Sequence, residues 1–93
     1  MDLQQLELFL AVIDQSSVTK AAGSMRLSPS AISLQLRNLA VRVRMELFVK
    51  SGKRLLPTLA ALLLAERARL LLRHVDRIEH EFGNDPATDS QSF

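Results

Sequence analysis

The chain has no cysteine, no tryptophan and no tyrosine, and only four phenylalanines among its 93 residues. Without cysteine there is no disulfide and no thiolate metal centre. With so few aromatics the core falls to Leu, Val, Ile and Ala, which fits helices better than sheets. A membrane-spanning run is also missing: the apolar stretch Leu59–Leu72 is short and is interrupted by Glu66, Arg67 and Arg69. The N-terminus is acidic and glutamine-rich and lacks the charged region and apolar run of a signal peptide. A cytoplasmic protein is therefore expected. Its length fits one small domain with a modest core, for which self-association is a source of further stability.

Catalytic and metal-binding groupings are absent as well. His74 and His80 are six residues apart and share no helix face, so no metal site is expected. Asp76, Glu79 and Glu81 have no neighbouring histidine or serine constellation and read as a solvated face. The sequence thus predicts no enzyme and no cofactor.

What is present is a charge pattern. The net charge is only +2, but Lys20 to Arg54 hold eight basic residues and a single acid, Glu46, so that segment alone carries 8 − 1 = +7. The first 15 residues carry acids and no Lys or Arg, and so do the last 15. A basic middle between acidic ends points to a polyanion on one face.

The local signals fit that reading. Asp2 caps a first helix running to about Asp14, with Gln5 in the capping-box position and Leu3, Leu6, Phe9, Leu10 and Ile13 on its buried face. Ser17 caps a second helix, Val18 to Met25, whose small Ala21 and Ala22 allow close packing. Ser28 caps a third helix from Pro29 to about Val43, with proline at the first helical position, where its missing N–H costs nothing. Ile32, Leu36, Leu39 and Val43 form its inner stripe, leaving Ser30, Ser33, Leu34, Arg37, Asn38 and Arg42 outside. Small residues near that helix start allow approach to base edges. Glu46–Lys50 and Leu55-Leu56 read as short strands around Ser51-Gly52-Lys53-Arg54, a basic hairpin or wing. Thr58 caps a last helix to about Phe82, in which Ala61, Leu64, Ala68, Leu71, Val75, Ile78 and Phe82 alternate steps of three and four. That is the seam of a helix–helix dimer. Gly83 ends it, and a disordered tail is expected over 83–93.

In this order and spacing the residues resemble the N-terminal DNA-binding domain of LysR-type transcriptional regulators. The resemblance covers about residues 1 to 82. It rests on Leu3-x-x-Leu6-x-x-Phe9, on Ser17-Val18-Thr19-x-Ala21-Ala22, on Leu27-Ser28-x-x-Ala31-Ile32-Ser33-x-Gln35-Leu36-x-x-Leu39, and on Leu47-Phe48-x-Lys50-x-Gly52-Lys53 followed by Thr58. It implies a mainly α fold with a small two-stranded wing: a winged helix-turn-helix over 1–57, then a linker helix over 58–82 that pairs two subunits, usually antiparallel. It implies double-stranded DNA as partner, with Pro29, Ser30, Ser33 and Leu34 at the bases. Thr19, Arg37, Lys50, Lys53 and Arg54 would lie near phosphates, and Ser28, mainly a helix cap, is counted with the DNA-binding residues. The related winged domain of molybdate-responsive regulators is the neighbouring resemblance.

Departures from the family's usual residues are Leu34 where arginine is common, Arg44 where glycine is common, and Ala40, Leu59 and Ala61. Leu34, Ala40 and Arg44 motivate an alternative, a dimerisation module with weakened DNA binding that pairs with a full-length relative. Family members usually continue into a two-lobed effector-binding domain larger than this whole chain, so no small-molecule effector site is expected within it.

Overall fold

The computed structural model describes residues 1 to 83. It comprises α1 (Leu3–Gln15), α2 (Val18–Met25), α3 (Pro29–Val43), β1 (Phe48–Ser51), β2 (Arg54–Pro57) and α4 (Leu59–Ile78), and α4 closes in a π-helical turn, Glu79–Gly83. The expected tail falls almost wholly outside the described residues.

Four helices begin on four side-chain caps. Asp2, Ser17, Ser28 and Thr58 each accept a hydrogen bond from the backbone N–H three residues on, at 2.8 to 3.1 Å. Each satisfies a donor that the first helical turn leaves unpaired. The capping box at α1 is only half made. The Gln5 side chain donates instead to the Gln35 side-chain oxygen at 3.1 Å and to the Gln35 carbonyl at 3.4 Å. A tertiary partner on α3 has displaced the local one.

The C-terminal ends of α2 and α3 are closed in one way. Arg26 (φ 58°) and Arg44 (φ 57°) are left-handed. The N–H of Leu27 reaches back to the Ala22 carbonyl, and that of Met45 to the Ala40 carbonyl. These are Schellman motifs with arginine where glycine is favoured, at a cost of about 1 kcal/mol each.

Helix α1 lies at the centre, touching α2, α3 and α4. It therefore buries two sides: Leu6, Phe9 and Leu10 as expected, and also Leu8 and Val12. Leu3 is exposed and Ile13 half-buried, so the expected single stripe is corrected to a wider arc. Ala21, Ala22, Ile32, Leu36, Leu39 and Leu47 complete the core on one side, and Ala61, Ala65 and Ala68 of α4 on the other.

The seam of α4 consequently divides. Ala61 and Ala68 are buried in their own domain, so these two are corrected from partner-facing to intrachain positions, while Leu64 is half-buried and packs in part against the same core. Leu71, Ile78 and Phe82 are exposed and Val75 is half-buried. Arg69 of α4 is paired with Asp14 at the end of α1, at 2.7 Å. The hydrogen bond and then the charge of Asp14 hold that guanidinium more firmly protonated than usual. Beyond this clasp and the packed Leu72, α4 continues away from the core.

Strands β1 and β2 pair antiparallel with Ser51 opposite Arg54, leaving Gly52-Lys53 as a two-residue loop. Gly52 has φ 62°, the left-handed value that the first position of a type II′ hairpin requires. The strands run over 48–51 and 54–57, not 46–50 and 55–56, because pairing starts where Phe48 meets Pro57. Phe48 sits edge-on to the fully buried Phe9, with ring centres 5.9 Å apart, and so seats the hairpin on the core.

Candidate nucleic-acid interface

Two opposed stripes define α3. Ile32, Leu36, Leu39 and Val43 face the core. Ser30, Leu34, Arg37 and Val41 repeat the same spacing two residues earlier, which at 100° per residue sets them on the opposite side. All four are exposed. The helix presents its N-terminal turn to solvent: Ser28, Pro29 and Ser30 are exposed, and the Ser28 and Ser30 hydroxyl oxygens lie 3.2 Å apart. The Ser28 hydroxyl oxygen accepts from the Ala31 N–H at 3.1 Å, which makes it first a cap.

The wing stands beside this helix. A cleft of about 440 Å³ runs between the start of α2 and the hairpin, lined among others by Ser17, Thr19, Ser33, Lys50, Lys53 and Arg54. A second hollow shares Ser33 and Lys50 and adds Arg37 and Glu46. Thr19, Ser33, Arg37, Lys50, Lys53 and Arg54 are thereby brought onto one surface. Pro29, Ser30 and Leu34 line neither hollow: Ser30 and Leu34 stand on the outer ridge of α3, and Pro29 is exposed at its first turn.

Glu46 is the one acid lining these hollows, beside Arg37 and Lys50, and it makes no close ion pair with them. Among the described residues the ion pairs are Arg69–Asp14 and Arg77–Glu81, both on α4. Among the described residues no basic side chain of α2, α3 or the wing forms an ion pair with a carboxylate. An array of free cations around a helix ridge with small polar residues at its start suits a phosphate backbone and the base edges behind it.

Two positioning groups escape sequence reasoning. Thr58, read only as a cap, also donates its hydroxyl to the Glu46 carbonyl at 2.7 Å, and its N–H bonds the Leu47 carbonyl at 2.9 Å. It ties the foot of the wing to the start of α4. Gln5, by bonding Gln35, fixes α3 against α1. Neither contact has a signal in local spacing.

The sequence model described as "Bacterial regulatory helix-turn-helix protein, lysR family" matches residues 3–62. The chain belongs to this family. Its fold and family are those of DNA-binding transcriptional regulators, not of enzymes. The LysR-family domain is similar to the HTH-type transcriptional regulator YeiE of Escherichia coli K12, with 39% identity over 83 residues, covering 89% of this chain and 28% of that protein. It is also similar to a probable RuBisCO transcriptional regulator of Cyanophora paradoxa, at 38% identity over 76 residues, covering 82% of this chain and 21% of the other. The chain spans under a third of the length of these curated relatives. Among solved structures it resembles the BenM DNA-binding domain in complex with benA site 1 DNA (TM-score 0.82, 27% identity, 87% of this chain and 91% of that one). It resembles the CbnR DNA-binding domain in its DNA complex equally well (TM-score 0.82, 26% identity, 87% and 93%). No helix among the described residues of this LysR-family domain is long and apolar enough to cross a membrane.

Proposed function

We propose that the chain recognises a two-fold-related DNA site as a homodimer, with α3 in the major groove and the wing on the backbone or in the adjacent minor groove. The observation that carries this is the unpaired basic surface shared by Thr19, Arg37, Lys50, Lys53 and Arg54, with the exposed Ser30–Leu34 ridge rising beside it. The first group supplies affinity through phosphates. Pro29, Ser30, Ser33 and Leu34 supply selectivity at base edges. The likeness to the BenM and CbnR domains in complex with DNA supports the same docking face.

Pairing through α4 rests on its unsatisfied apolar side. Leu59, Leu62, Leu63, Leu70, Leu71, Ile78 and Phe82 are between 45% and 73% exposed. At 100° per residue Leu71, Ile78 and Phe82 share one side of α4, which a second copy of the helix would cover, while Leu59, Leu62, Leu63 and Leu70 lie on another.

Selection of bound duplexes from a random pool tests the whole reading. A recovered inverted repeat, with affinity that falls steeply as salt is raised, is the expected result. Recovery of no duplex at near-physiological salt would favour the second reading, a module that only pairs with a full-length relative. Leu34 and the strained Arg44 motivate that alternative.

A further inference from the structure

Leu34 has no task in the fold. It is 49% exposed, belongs neither to the core nor to the apolar residues packed on it, and lines neither hollow beside the wing. Single exposed leucines are common, so exposure alone decides nothing. Its place does. It stands on the outermost stripe of α3, one turn after Ser30 and one before Arg37. Val41 shares the stripe and is 77% exposed, but lies seven residues further on, about 10 Å towards the end of the helix and away from its base-reading N-terminal half.

We infer that Leu34 reads the C5-methyl group of a thymine in the major groove, so that each half-site carries an A·T pair at the step this residue faces. The inference rests on the DNA-binding reading above. Guanine, cytosine and adenine present hydrogen-bonding atoms along that edge, and a leucine pressed against them would strip their water and return nothing. Thymine alone offers an apolar group of matching size. The neighbours supply the polar part: the Ser30 hydroxyl lies on the N-terminal side, and Arg37 on the other side can reach the phosphates.

The test starts from duplexes selected by the full 93-residue chain. Each thymine of the half-site is replaced in turn by deoxyuridine, which removes only the methyl. One position per half-site should weaken binding about fourfold, and about fifteenfold when both half-sites are changed. Leu34→Ala should bind the thymine and deoxyuridine duplexes alike at that position, and Leu34→Arg should shift the selected base there from thymine to guanine. Equal binding of every deoxyuridine duplex by the natural chain overturns the inference and leaves an exposed leucine only. So does a methyl effect that persists in Leu34→Ala, because it then arises from the shape of the DNA. Failure to select any duplex is a different result, and it overturns the DNA-binding reading together with this one.

Discussion

Helices α3 and α4 are both amphipathic, and both turn one stripe to the same core around α1. They differ in what they offer on the other side. Helix α3 shows serines, an arginine and isolated apolar residues, next to a wing with three cations, while α4 shows a run of leucines with Ile78 and Phe82. The inner stripe of a helix reports its place in the fold. The outer one reports the chemistry of whatever comes to meet it: small polar groups and free charge for a hydrated polyanion, branched hydrocarbon for another helix.

Four substitutions would break or sharpen that contrast. Arg37→Glu should act most strongly. It replaces an exposed cation of the proposed DNA-facing surface by an anion and should weaken binding to every duplex by about a hundredfold, measured by titration in moderate salt, while the helical circular dichroism stays unchanged. Leu71→Asp should follow. It introduces a charge into the exposed half of the α4 seam and should yield monomers in sedimentation or sizing without loss of fold, because Leu71 is outside the core. A dimer that survives this change would move pairing off α4. Thr58→Val removes both the α4 cap and the tie to Glu46, and should lower unfolding free energy by about 1–2 kcal/mol in urea melts. The smallest effect carries the opposite sign. Arg44→Gly relieves the left-handed strain at the end of α3 and should raise stability by up to about 1 kcal/mol, a rise in melting temperature of about 4–8 °C.

Much of this architecture is written locally. Ser17, Ser28-Pro29 and Thr58 start their helices where short-range capping rules put them, and the ends of α2 and α3 coincide with expectation. Gly52 marks the hairpin for the same reason, since its left-handed φ excludes most other residues. What was not legible is pairwise and distant. Gln5 meets Gln35 thirty residues away and Arg69 meets Asp14 fifty-five away, and neither spacing leaves a trace in the sequence. The α4 seam misled for a related reason. Steps of three and four are the same whether the opposing surface is the chain's own α1 or a second chain, so Ala61 and Ala68 could not be told from Leu71 and Ile78 by periodicity. Their size was the available hint, because alanine lets helices of one domain approach closely. At the interface, the outer face of α3 could be read as the complement of its apolar stripe. The convergence of Thr19 with the wing could not, and came only through the family resemblance.

The contact between Asp14 and Arg69 has a geometric consequence. It is half-exposed and adds little to stability, well under about 1 kcal/mol. Yet it fastens the projecting rod near its root, much as a rivet sets the opening of a pair of compasses. Carried along the roughly 20 Å of helix from Arg69 to Gly83, a swing of about 10° there displaces the far end by about one base-pair step of 3.4 Å. In a paired molecule, this modest surface contact would help set the distance between the two legs.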